Sequence, residues 1–220
     1  MVKSVVFDMD GLMLDTESLL TRFWVEAGKF YGFDMKKEHA LKVRSLSHEL
    51  TMKYFKGIFG DGFDYYAVRA KRIELMSDYI NEYGLEKKKG LDELLEYLKT
   101  TGLKLGVATA TDHQRTEMYL KSVGVYEYFD KFVCGDMVKK SKPSPEIYQT
   151  AANELGVECS ETIALEDSPN GIQSAFDAGC IPVMVPDLSQ PDEQLKKKLF
   201  CCCDDLIQVI DVIKKLLSEK

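Results

Sequence analysis

Residues 5–11 read VVFDMDG. Three apolar residues run straight into Asp8, Met9, Asp10 and Gly11. Val2 to Phe7 reads as a buried strand, with β-branched residues and no polar alternation after Ser4. Two carboxylates two residues apart at the end of such a strand repel each other unless something positive lies between them. One acid could cap a turn; a pair in this position asks for a cation.

Outward from this stretch, the pattern divides in two. TESLLTRFWVEAGKFYGF, residues 16–33, has helical periodicity, with Thr16 as a candidate cap and Gly32 near its end. Helical stretches with a polar face continue to about Tyr83, and no strand pattern interrupts them. Strand and helix then alternate. Lys104–Ala108 is a strand, His113–Val123 a helix, KFVCG (131–135) a strand, and Pro145–Leu155 a helix opening on proline. TIALE (162–166) is a strand, Pro169–Ala178 a helix, IPVMV (181–185) a strand, LFCCC (199–203) a further strand, and Leu206–Leu217 a last helix. Such alternation predicts an α/β fold, a doubly wound parallel sheet with helices on both faces. The helical block, residues 15–85, reads as an insertion after the first strand, leaving 1–14 and 86–220 as the core.

Composition fits a compact protein: 220 residues, 45% hydrophobic and 30% charged. The net charge of −7, with 29 Lys and Arg spread along the chain, disfavours a nucleic-acid partner. No apolar run reaches the roughly 18 residues of a membrane span, so no membrane partner is expected. The N-terminus lacks a signal-peptide pattern. Six cysteines without a disulfide-type framework predict reduced thiols, a cytoplasmic location and, for Cys201–Cys203, a buried strand rather than a metal site. A monomer is expected.

In an open parallel sheet, ligands sit beyond the carboxyl ends of the strands. After the first strand come Asp8 and Asp10; after LGVA come Thr109, Ala110 and Thr111. After FVCG come Asp136 and KKSKPSP with Lys142; after TIAL come Glu166 and Asp167. Four carboxylates at one edge need a cation, and oxygen ligands suit Mg²⁺ together with a substrate phosphate. Lys142 and the Thr109 hydroxyl suit phosphate oxygens, and paired acids suit nucleophile and proton carrier. Each element alone has an ordinary explanation: a turn cap for the aspartates, a solvated loop for Lys142, a helix N-terminus for Glu166 and Asp167. The joint order carries the reading. A phosphoacceptor receiver domain of two-component signalling uses similar groups, but there the acidic pair ends the first strand. Here Glu166 and Asp167 come last, and a receiver has no helical insertion.

DMDG, ATAT, KPSP and EDSPNGIQSAFDAG together resemble the haloacid dehalogenase superfamily, in the branch of phosphatases and phosphomutases that includes β-phosphoglucomutase. The resemblance covers essentially the whole chain. It implies a Rossmann-like core with an inserted four-helix-bundle cap. It implies Asp8 as nucleophile forming an aspartyl-phosphate, Asp10 as general acid and then base, Thr109 on a phosphate oxygen, and Lys142 between phosphate and Asp8. It implies Mg²⁺ held by Asp8, the Asp10 carbonyl and Asp167, with Glu166 alongside. Asp10 argues against dehalogenation, whose enzymes carry tyrosine there. Asp15, Thr16 and Glu17 match the branch's hinge signature; Thr16, Glu17, His48, Ala110, Thr111 and Asn170 are the expected substrate contacts.

The cap departs from the mutase pattern. Leu20 stands in place of a histidine, and RSLSHE (44–49) has Ser45 in the glycine place and His48 in the place of a phosphate-gripping arginine. His48 either contacts substrate or is a polar residue at a helix start. Trp24, Phe23, Phe30, Tyr31 and Phe33 are expected in the cap's core. Phosphonate cleavage would need a cap lysine, and no pattern selects among Lys29, Lys36 and Lys53. A Mg²⁺-dependent phosphatase of a small phosphorylated metabolite, a sugar phosphate foremost, is the expectation. A phosphomutase and a non-catalytic phospho-ligand-binding module are the alternatives.

Overall fold

The computed structural model of the protein describes residues 1–44, 46 and 48–218. The chain divides into two compact units, Met1–Asp15 with Glu86–Lys220, and Thr16–Leu85. Asp15 goes with the first unit, where its N–H donates to the Glu86 carbonyl at 2.9 Å.

The first unit is built on six strands: β1 (Ser4–Phe7), β2 (Lys104–Ala108), β3 (Lys131–Val133), β4 (Thr162–Glu166), β5 (Ile181–Met184) and β6 (Cys201–Cys202). Their order is β3-β2-β1-β4-β5-β6, and every neighbouring pair is parallel. The chain therefore fills one half of the sheet and then crosses back to fill the other. The switch lies between β1 and β4, the point of an open parallel sheet beyond whose carboxyl ends ligands bind. Asp8 and Glu166 flank that point, because Phe7 pairs with Leu165 and the Asp8 N–H donates to the Leu165 carbonyl at 3.0 Å.

The helices of this unit are α5 (Leu91–Lys99), α6 (His113–Ser122), α7 (Glu146–Leu155), α8 (Pro169–Asp177), α9 (Glu193–Lys196) and α10 (Leu206–Ser218). Local chemistry sets their ends. Asp112 caps α6 by accepting from the Arg115 N–H at 3.0 Å, and Ser168 caps α8 with Pro169 at its first position. Gly156 ends α7 in the left-handed conformation, φ +66°. The apolar stripe of α7, Ile147, Tyr148, Ala151 and Leu155, covers Val6, Ala108, Val133 and Ala164 on one sheet face. Gly106 keeps that contact close: a Cβ there would lie 3.1 Å from Leu155 Cδ1.

The second unit carries α1 (Thr16–Phe30), α2 (Lys37–Leu41), α3 (His48–Phe59) and α4 (Tyr65–Tyr83). Its core gathers Trp24, Ala27, Met35, Val43, Phe55, Phe63 and Val68. The Trp24 ring lies 5.0 Å from that of Phe55, and the Arg72 guanidinium 5.1 Å from the Trp24 ring.

Three local expectations change. The third strand stops at Val133, and Gly135–Met137 forms a 3₁₀ turn. The Gly135 N–H donates to the Thr111 carbonyl at 2.9 Å, and a Cβ at 135 would overlap the Ala110 carbonyl, so the chain leaves the ladder there. The strand expected over 199–203 shrinks to Cys201–Cys202: β6 is the edge of the sheet and Cys202 is exposed, while Cys203, just past its end, is buried. All six cysteines are free. Phe30 and Tyr31 stay outside the helical core, 65% and 45% exposed, because α1 ends at Phe30 and the chain turns through Gly32 at φ +83°. Among the described residues no helix is long and apolar enough to cross a membrane.

Two substitutions test this packing. Gly90, at φ +89° ahead of α5, would place a Cβ 2.6 Å from the Ile207 amide nitrogen; Gly90→Ala is expected to cost more than about 1 kcal/mol, read by urea unfolding followed by circular dichroism. Trp24 is the single tryptophan, so its fluorescence reports the helical unit. Phe55→Ala is expected to lower the fluorescence-detected midpoint by an amount equivalent to roughly 3–5 kcal/mol.

Candidate active site

Lys142 reaches the end of β1 from a loop held at several points. The Glu146 carboxylate accepts from the N–H groups of Lys139 and Lys140 at 2.8 and 3.0 Å. Ser174 on α8 donates to the Ser144 carbonyl at 2.6 Å. The Lys142–Pro143 peptide is cis. From this loop the Lys142 ammonium donates to Asp8 Oδ1 at 2.6 Å, Glu166 Oε1 at 2.5 Å and the Ala108 carbonyl at 2.9 Å. Its three N–H donors thus have three acceptors. The side chain is only 8% exposed. Burial by itself would push the ammonium toward its neutral form, but Asp8 and Glu166 outweigh burial and hold its pKa above the ordinary lysine value.

Glu166, the last residue of β4, is fully buried and heavily bonded. Oε1 accepts from Lys142 and, at 3.0 Å, from the Tyr148 hydroxyl. Oε2 accepts from the Asp167 N–H at 3.1 Å, the Ser168 N–H at 3.3 Å and the Ser168 hydroxyl at 3.2 Å. Five donors on two oxygens hold this buried carboxylate in one orientation. The glycine at 171 is required by this carboxylate, since a Cβ there would overlap it. Burial, then the neighbouring Glu166 and Asp8 charges, push the Tyr148 phenol well above its ordinary value, so it remains a donor.

Asp8, Glu166 and Asp167 are all buried, and each offers a carboxylate oxygen within 4.8 Å of the others. One ammonium cannot balance three carboxylates. Burial pushes the Asp8 carboxyl well above its usual range; Lys142 opposes this, and the Glu166 and Asp10 charges add to it. A hard divalent cation among these oxygens would relieve the excess charge, and all-oxygen donors fit such an ion.

Asp10 faces a different set. Its Oδ2 accepts from the Thr111 hydroxyl at 2.7 Å and the Thr109 hydroxyl at 3.1 Å. Thr109 Oγ1 also accepts from the Thr111 N–H at 3.1 Å. Gly11, at φ +85°, turns the chain immediately after Asp10. The two acids of DMDG are thereby separated: Asp8 turns to the lysine, Asp10 to the hydroxyls of the second strand's end.

Other expected contacts fall as follows. Ala110 is exposed next to Thr109, and Asn170 is partly exposed in the first turn of α8. Thr16, Glu17 and His48 belong to the helical unit. Thr16 is buried at the start of α1, and Glu17 accepts from Arg44 Nε at 2.7 Å. His48 opens α3, exposed, its ring 6.4 Å from that of Tyr65. Ser45 lies outside the described residues. Sequence spacing did not single out Tyr148 or Ser168. A hydroxyl-bearing aromatic within the otherwise apolar stripe of α7 is the signal for the first, and the Ser-Pro start of α8 for the second.

Comparison with known proteins places the chain among relatives of one family. The family model described as haloacid dehalogenase-like hydrolase matches residues 5–185. The chain is 28% identical, over 180 residues, to the phosphorylated carbohydrates phosphatase of Thermotoga maritima, covering 81% of this chain and 82% of that protein. It is similar to CbbY of Rhodobacter sphaeroides in complex with phosphate, with a TM-score of 0.80, 28% identity, and coverage of 95% of this chain and 96% of that one. The same CbbY, as a mutant bound to xylulose-1,5-bisphosphate, superposes with a TM-score of 0.80 at 27% identity, covering 94% and 96% of the two chains. β-Phosphoglucomutase from Clostridium difficile shares the fold, with a TM-score of 0.81 at 21% identity over 98% of this chain and 96% of that one. With a family model matched from residue 5 to residue 185, the chain belongs to the haloacid dehalogenase-like hydrolases.

Proposed function

We propose that the protein is a phosphatase of small phosphomonoesters, sugar phosphates foremost, working through a phosphoryl group carried on Asp8. The observation that carries this reading is the Lys142 ammonium bonded to Asp8 and Glu166, beside an Asp10 held by two hydroxyls. The phosphorylated-carbohydrate phosphatase among the relatives supports the substrate class.

In this reading Lys142 fixes Asp8 Oδ1, which aims the other carboxylate oxygen at phosphorus. As the new P–O bond forms on Asp8, the bond to the sugar oxygen breaks, and Asp10 gives that oxygen a proton. Asp10, now a carboxylate, takes a proton from water, which attacks the aspartyl-phosphate, releases phosphate and restores Asp8. Thr109 and Thr111 hold Asp10 for both transfers. Lys142 offsets the charge spread over the transferring oxygens. Asp8, Asp167 and the Asp10 main-chain carbonyl would hold Mg²⁺, with Glu166 alongside. When bound, the ion supplies charge neutralisation for the phosphate and the carboxylates.

The helical unit, Thr16–Leu85, supplies substrate choice in this reading, through Thr16, Glu17 and His48. Arg44, the cation of RSLSHE, is engaged by Glu17. That engagement favours a substrate with one phosphate over the bisphosphate cycle of a mutase.

Phosphate release from para-nitrophenyl phosphate and a sugar-phosphate panel is the direct test. Asp8→Asn is expected to lower kcat by about 10³-fold or more, and Asp10→Asn by roughly 10²–10⁴-fold. Chelation is expected to abolish turnover and added Mg²⁺ to restore it. Metal-loaded protein that is inert across the panel would sink the reading. Conversion of β-glucose 1-phosphate to glucose 6-phosphate, primed with the 1,6-bisphosphate, would replace it with the mutase.

A further inference from the structure

Tyr148 touches both partners of the ion pair at the end of β1. Its hydroxyl donates to Glu166 Oε1 at 3.0 Å, the same oxygen that accepts from Lys142 at 2.5 Å. Its ring lies 5.1 Å from the Lys142 ammonium, within cation–π range. The residue is completely buried, on a helix face whose other members are Ile147, Ala151 and Leu155. Phenylalanine would fill that volume without burying a hydroxyl among charges, so packing does not explain the oxygen. The hydroxyl acts where the charge is.

We propose that Tyr148 is a positioning residue for the phosphatase site, holding Glu166 so that the Lys142 ammonium stays shared between Glu166 and Asp8. The inference rests on the function proposed above for its kinetic consequence. Glu166 Oε2 is fixed by three donors from Asp167 and Ser168, which anchors one end of the carboxylate. Oε1 is the end that can move its allegiance. With two donors, the phenol takes part of its bonding capacity and Lys142 the rest. Without the phenol, Oε1 has Lys142 alone. The ammonium is then drawn toward Glu166, and its grip on Asp8 Oδ1 loosens. Asp8 loses orientation and the transferring phosphoryl group loses its cation. Both effects fall on the chemical step rather than on substrate capture, so kcat carries the change.

The test uses four full-length proteins: wild type, Tyr148→Phe, Lys142→Met and the double variant. Each is assayed with Mg²⁺ and para-nitrophenyl phosphate, and each is unfolded in urea. Tyr148→Phe keeps the ring and its packing. It is expected to lower kcat about tenfold, with KM within about twofold. In the Lys142→Met background the same substitution is expected to change kcat less than about twofold, because its path runs through the lysine. A Tyr148→Phe kcat within about twofold of wild type, or an equal fall in both backgrounds, overturns the proposal. If wild type itself turns nothing over, it is the proposed function that has failed. The unfolding constants then decide the positioning role: effects of the two substitutions that depart from additivity by more than about fivefold support it, and additive effects overturn it.

Discussion

One ammonium group sits between two buried carboxylates, and the carboxyl edge of the sheet is arranged around it. Lys142 binds Asp8 at 2.6 Å and Glu166 at 2.5 Å. Burying these charges is costly, and the mutual attraction compensates only when geometry is good and every remaining donor and acceptor is used. Lys142 and Glu166 meet those conditions. The third N–H of Lys142 goes to the Ala108 carbonyl, and Glu166 accepts from Tyr148 on α7 and from backbone and side-chain donors in the turn between β4 and α8. Gly171 leaves the space that the carboxylate needs. The cluster is a constraint on the sheet as much as a feature of it.

The parallel order explains how residues 134 positions apart meet. β1 and β4 are neighbours across the switch point, so their carboxyl ends lie side by side. β2 flanks β1 on the other side and brings Thr109 and Thr111 to Asp10. The loop after β3 returns Lys142 over this edge. No single element builds the site; each strand delivers a residue or two, and register does the rest. The pair of acids in DMDG is tolerable because the turn at Gly11 and the two neighbouring strands send their side chains to different partners.

Most of the sheet was legible because buried parallel strands read as short apolar runs and their crossovers as helical periods. The strand ends were legible because polar residues directly after apolar runs stand out. Legibility fails where an element's environment is set by distant chain. Cys201–Cys203 has the composition of a buried strand, yet it became the sheet's edge because nothing pairs beyond it among the described residues. Phe30 and Tyr31 have the composition of a core, yet they fall past the last turn of α1. Tyr148 looks like one more apolar position of α7 until the carboxylate beneath it is seen.

The sequence by itself determined which residue types stand at each strand end, and with them the family chemistry: Asp8 and Asp10, Thr109, Lys142, Glu166 and Asp167. These follow from local pattern, since periodicity and turn chemistry act over a few residues. Only the tertiary structure decided how those groups divide their bonds. Glu166 could be read as a metal ligand or as an anchor, and its five donors give it the anchoring contacts. Asp10 could have faced Lys142, and register gave it to the threonines instead. The physical reason is that a hydrogen bond acts over about 3 Å, so the role of a buried charge depends on which distant segments the packing brings within that reach.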